Sequence, residues 1–152
     1  MALVKIWDKE IKGKLWAVGD IHGCYNLLMT RLKEIGFDFE NDLLVAVGDL
    51  VDRGPESHRV LEWLEKPWFF SVQGNHEAMA YRLMQEAYPC FCSDNEWIMD
   101  IAESDKPAYI EAFQSMPIAI QVETAKGPVG IVHPIFLFCP SRNCVKLSPG
   151  AG

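Results

Sequence analysis

The sequence predicts an α/β fold in one domain, and three observations lead there. A short apolar run occurs three times, at Leu15–Val18, Leu43–Val47 and Trp68–Val72. Each run is followed by glycine and an oxygen-bearing side chain, namely Gly19-Asp20, Gly48-Asp49 and Gly74-Asn75. Each pair then leads into helical periodicity. Units of about 30 residues in this order are βαβ crossovers, which set successive strands parallel and bring their carboxyl ends to one edge.

In chain order, Met1–Ile11 alternates charged with apolar residues and has no basic start followed by an apolar stretch, so no signal peptide is expected. Leu15–Val18 is the first buried strand. Tyr25, Leu28, Leu32 and Ile35 then share one helical face, ended by Gly36. The second unit is Leu43–Val47 followed by the stripe Val60, Leu61 and Leu64, with Pro55 and Pro67 at either end. The third is Trp68–Val72 followed by Met79, Leu83, Met84 and Ala87.

Tyr88–Ser93 has no clear period. A helix is expected over about 94–103, and another from Lys106-Pro107 to Met116, with proline in its first turn. Ile118–Val122 and Val129–His133 read as strands joined by a loop holding Lys126, Gly127 and Pro128. Beyond His133 the pattern changes: prolines and glycines interrupt an apolar patch, Ile135–Phe138.

Composition narrows the function. The chain has 152 residues, 49% of them hydrophobic, enough for one core. A net charge of -7 argues against a nucleic-acid scaffold, which needs dense Lys and Arg. No apolar run approaches the ~20 residues of a membrane helix, so no membrane partner is expected. Five cysteines at irregular spacing point to a reducing cytoplasm rather than a disulfide framework. Neither Cys90 with Cys92 nor Cys139 with Cys144 builds the usual four-ligand zinc site.

The chemistry concentrates at the predicted strand ends. Asp20, His22, Asp49 and Asn75, joined by His133 at the end of a later strand, would converge on one crevice. Carboxylate, carboxamide and imidazole together suit Mn, Fe or Zn better than Ca or Cu(I). Gly19, Gly23, Gly48, Gly54 and Gly74 flank these residues, where the chain must turn sharply or approach an ion closely. Helices starting soon after Gly23 and Asn75 would aim their N-termini at an anion. His58 reads as a solvated helix residue, and the tryptophans as packing.

Three blocks carry a resemblance: Gly19-Asp20-Ile21-His22-Gly23, Gly48-Asp49-Leu50-Val51-Asp52-Arg53-Gly54 and Gly74-Asn75-His76-Glu77. The pattern resembles the calcineurin-like metallophosphoesterases, within them the phosphoprotein phosphatase branch, and most closely the phage lambda type bacterial serine/threonine phosphatases. That resemblance implies βαβ units in a mixed sheet sandwich flanked by helices, formed by residues 1–133. It implies a first metal on Asp20, His22 and Asp49, and a second on Asp49, Asn75 and His133. Two such ions, about 3.5–4 Å apart, activate a water and clamp a phosphoryl group.

By the same resemblance Arg53 and Asn75 bind the phosphate of a phosphoprotein or phosphopeptide, His76 protonates the leaving alkoxide, and Asp52 orients His76. Manganese is the expected metal. Symmetrical dinucleoside tetraphosphatases are similar, but usually lack an acid at the place of Asp52 and carry Asp where Glu77 stands. The resemblance also calls for a second arginine and a Gly-His segment after His133. Neither can be placed, so the second metal site is expected to be weak and the C-terminal strands incomplete. Residues 134–152 are expected to be disordered or out of frame, and the competing readings are a catalytically impaired metal- or phosphate-binding fragment, or a dinucleoside polyphosphate hydrolase.

Overall fold

The structure, a computed structural model, describes residues 4–7, 10–86, 94–124 and 126–134. The expectations for the 134–152 tail, for Ile135–Phe138 and for Cys90, Cys92, Cys139 and Cys144 lie outside those residues, apart from Pro134. Two three-stranded sheets face each other. One has the order β1 (Val4–Trp7), β5 (Ala119–Thr124), β6 (Gly127–Val132); the other is β2 (Leu15–Val18), β3 (Leu43–Ala46), β4 (Phe69–Ser71). The second sheet is all parallel, as the repeated units require. The first is mixed: β1 runs parallel to β5 and β6 antiparallel. Among the described residues no helix is long and apolar enough to cross a membrane.

β3 explains why its run is continuously apolar. Leu43 and Val45 project between the sheets, where they meet Trp7, Val72, Ile120, Val122 and Ile131. Leu44 and Ala46 project the other way, into a second core with Tyr25, Leu32, Trp63, Phe69 and Phe113 from the helical side. A strand buried on both faces cannot alternate with polar residues. The helices on that side are α1 (Tyr25–Glu34), α2 (Val60–Leu64), α3 (Asn75–Gln85) and α4 (Lys106–Ser115).

Four local expectations need correction. The helix expected over 94–103 is a single 3-10 stretch, Glu96–Asp100, closed by extended backbone at Ile101 (φ -79°, ψ 125°). The second helix opens with a 3-10 turn, Ser57–Arg59, which leaves only five residues in α form. Gly127 and Pro128 belong to β6, opposite Thr124 and Glu123, rather than to a loop; among the described residues β6 is an edge strand, where proline is tolerated. Lastly, Val4–Trp7 is a strand for which the sequence reading assigned no element.

Candidate active site

The three strands of the parallel sheet deliver their ligands as their direction dictates. Asp20 follows β2, Asp49 follows β3 and Asn75 follows β4, all at the carboxyl end of the parallel sheet. His133 directly follows β6 and reaches them from the other sheet, its Nε2 3.0 Å from Asn75 Oδ1 and 3.6 Å from Asp49 Oδ1. Two groups of ligand atoms, each within 4.8 Å of one another, share Asp49: Asp20 with Asp49 and His133, and His22 with Asp49 and His76.

The imidazoles are held for ligation. A carbonyl oxygen only accepts, so His22 donates Nδ1–H to Val51 O (2.9 Å) and His133 donates Nδ1–H to Val47 O (2.8 Å). The Nε2 lone pairs then turn into the cleft. For His133 this sets one acceptor against another, Asn75 Oδ1. Such an approach is relieved by a shared cation or by a half turn of the amide. The residues therefore fit divalent metal on the chemistry of the donor set alone.

Beside the ligands, buried His76 donates Nδ1–H to Asp52 Oδ2 at 2.7 Å, and Asp52 is 1% exposed. The Nε2 of His76 faces Asp49 Oδ2 at 3.9 Å. Arg53 spans the cleft mouth, Nη1 donating to His22 Nε2 (2.9 Å) and Nη2 lying 3.3 Å from His76 Nε2. Its side chain is 55% exposed, so the guanidinium can turn onto an incoming anion.

The backbone here is unusual. Among the described residues, the non-glycine positions with left-handed φ are His22 (44°), Asp49 (54°), Asp52 (71°) and Arg53 (66°), all within the site. Each costs about 1–3 kcal/mol and survives only where the surroundings over-determine it. Glu77 supplies much of that restraint. Its carboxylate accepts N–H groups from Asp49 (3.0 Å), Leu50 (2.6 Å), Val51 (3.3 Å) and Gly74 (2.7 Å), stitching the β3 loop to the start of α3. Burial pushes the Glu77 carboxyl above its usual range; those N–H groups pull it back, while the nearby Asp49 carboxylate adds to the rise. From below, Tyr25 donates its hydroxyl to Leu50 O at 3.0 Å.

Gly54 and Gly74 are required by space. A Cβ on Gly54 would stand 1.9 Å from His22 O, and one on Gly74 2.2 Å from Asp49 Oδ1. At Gly19 no protein atom lies within 4 Å of the place a Cβ would take. Of the two expected anion-facing helix starts, α3 presents its first turn to Asp49, whose Oδ1 accepts His76 N–H at 3.2 Å. His58 is exposed.

Sequence reasoning missed three residues that shape the site. Glu77 served there only to separate relatives, although glutamate three residues after a helix-capping glycine signals a carboxylate reaching back to the cap. Asp94 and Trp97 lie where a helix was expected, and reach Arg53 and Asp52 across more than 40 residues of chain: Arg53 N–H to Asp94 O is 2.8 Å, and Trp97 Nε1–H to Asp52 Oδ1 is 2.6 Å.

A model of the calcineurin-like phosphoesterases matches residues 13–142. The chain belongs to this family. Within the phosphoesterase family it is 58% identical over 125 residues to serine/threonine-protein phosphatase 1 of Salmonella typhimurium, covering 78% of this chain and 57% of that protein. It is 39% identical over 140 residues to serine/threonine-protein phosphatase 2 of the same organism, covering 88% and 64%. The chain thus spans about six-tenths of the length of these relatives. Among solved structures, a putative diadenosine tetraphosphatase superposes with a TM-score of 0.63 at 31% identity, covering 80% of this chain and 50% of that one.

Proposed function

We propose that this phosphoesterase hydrolyses phosphoserine and phosphothreonine in proteins, in the cytoplasm, with manganese as its metal. The observation that carries this reading is the pairing of His76 with a buried Asp52, at 2.7 Å, beside an Asp49 common to both ligand groups. A proton donor of that kind serves a poorly leaving alkoxide, such as the serine or threonine side chain of a phosphoprotein.

Asp20, His22 and Asp49 would hold one ion, and Asp49, Asn75 and His133 a second, weaker one; iron or zinc also suits these donors. When bound, the ions supply a hydroxide near neutral pH for attack on phosphorus. The protein's own residues do the rest. Arg53 turns its two Nη groups onto phosphoryl oxygens and offsets their charge, with Asn75 beside it. As the P–O ester bond breaks, His76 gives the Nε2 proton to the departing oxygen, while Asp52 holds the imidazolium through Nδ1–H. No covalent bond to the protein is needed. The domain assigned to this activity is residues 1–133.

The likeness to the putative diadenosine tetraphosphatase supports a second reading, hydrolysis of dinucleoside polyphosphates. One experiment separates the readings: calorimetric titration with Mn2+, followed by phosphate release from a phosphoserine peptide and cleavage of diadenosine tetraphosphate. The proposal expects one tight and one weaker manganese, with turnover of the phosphopeptide. Preference for the dinucleotide would replace it with the second reading. Manganese binding without turnover of either would leave the impaired metal-binding fragment.

A further inference from the structure

Asp52 and Arg53, which act side by side in the mechanism proposed above, are both gripped by one short stretch of chain. Asp94 accepts Arg53 N–H on its carbonyl oxygen and faces the guanidinium with its carboxylate, Nε to Oδ2 3.6 Å. Three residues on, Trp97 donates Nε1–H to Asp52 Oδ1 at 2.6 Å, while Asp52 Oδ2 receives His76 Nδ1–H at 2.7 Å. The two oxygens of one buried carboxylate are thus bonded from opposite sides.

That arrangement has a mechanical meaning. A carboxylate held through one oxygen can still rotate about its Cβ–Cγ bond, carrying its partner with it. A second donor on the other oxygen fixes the plane. Trp97 is itself fixed, because its ring rests on Tyr109 (5.9 Å between centroids) and the Tyr109 hydroxyl is tied to His58 O at 2.7 Å. The adjoining Ile98 is wholly buried and anchors the stretch in the core. Packing does not require the bond: Trp63 is buried with no hydrogen-bond partner for its indole nitrogen.

We propose that Trp97 is a positioning residue, which sets the plane of the Asp52 carboxylate and through it the direction in which His76 presents Nε2. The inference rests on the reading of His76 as proton donor to the leaving oxygen, and it can fail separately from it.

Trp97→Phe keeps an aromatic ring against Tyr109 and removes one N–H. Two esters report the consequence in the manganese-loaded protein. A phosphoserine peptide expels an alkoxide that needs the proton, whereas p-nitrophenyl phosphate expels a phenolate that leaves without it. The variant is expected to lose about tenfold or more in kcat on the peptide, with KM and the p-nitrophenyl phosphate rate within about twofold of the native values, since general acids contribute 10²–10⁴-fold. In an Asp52→Asn background the same substitution should add nothing. The second readout needs no turnover: in the protein loaded with diamagnetic zinc, the His76 Nδ1–H proton resonance should shift and broaden in Trp97→Phe. If Trp97→Phe does not fold, benzothienylalanine at position 97, which replaces N–H by sulfur in a ring of the same shape, serves for both measurements. Equal losses on the two esters, or an unchanged His76 resonance, overturn the proposal. A native protein that cleaves neither ester would defeat the functional reading, and the resonance would then decide on Trp97 alone.

Discussion

Gly74 and Asp49 touch so closely that a side chain on the first would occupy the place of the second: a Cβ on Gly74 would lie 2.2 Å from Asp49 Oδ1 and 2.4 Å from its backbone nitrogen. The backbone of Gly74 is ordinary extended chain (φ -90°, ψ 176°), so space rather than conformation demands glycine. Gly74→Ala should move the residue common to both ligand groups. We expect a stability loss of about 1–3 kcal/mol, as for other overpacked sites, and loss of manganese binding with native helix content retained. Urea unfolding and calorimetric titration check the two parts; native manganese affinity in the variant would contradict the role of this contact.

Glu77→Gln should be costly although it conserves size. Both carboxylate oxygens accept backbone N–H groups, Leu50 and Val51 on one and Asp49 and Gly74 on the other. An amide group must turn its NH2 toward one pair of donors. The expected loss is about 2–3 kcal/mol, the worth of hydrogen bonds to a buried charged acceptor. A urea midpoint equivalent to less than about 0.5 kcal/mol, the scatter of neutral surface changes, would show that the four bonds do not hold the loop.

The two histidine ligands should separate in a metal titration. His22→Ala is expected to weaken the tighter manganese by more than about 100-fold, because even losses behind the ligands reach 10–100-fold. His133→Ala should spare that site and remove the weaker one. The reverse order of effects would exchange the two assignments.

Asp42 provides a pH-dependent test away from the cleft. Burial pushes its carboxyl up, but N–H donors from Lys14 (2.6 Å), Trp16 (2.8 Å) and Asp38 (3.2 Å) outweigh that, and the net shift is downward. A carboxyl depressed in the folded state gives stability that is complete above its unfolded pKa, about 3.9, and is lost as pH falls through the folded value. Asp42→Asn should therefore be less stable than native at pH 7 and differ less at pH 3. Equal differences at both values would refute the linkage.

The repeated strand, ligand and helix units were legible because each is local: glycine, ligand and periodicity stand within about 30 residues of one another, and the parallel order follows from them. β1 was not, since its partner β5 begins at Ala119 and Trp7 alone of its four residues is buried. Of the eight candidate residues, Asp20, His22, Asp49, Asp52, Arg53, Asn75 and His76 follow strands of the parallel sheet, and His133 follows β6 of the other sheet. What holds them was not legible. Glu77 acts on backbone amides, and Trp97 on a side chain 45 positions earlier; neither relation leaves a periodic trace in the sequence.

The all-parallel sheet also gives the molecule a direction that a protein engineer can exploit. Every chemical group discussed for β2, β3 and β4 follows a strand's carboxyl end, so the connections that enter those strands stand at the far pole. Glu65, exposed in the turn between α2 and β4, marks a place where a reporter peptide could be grafted and carried along, its tether pointing away from the cleft.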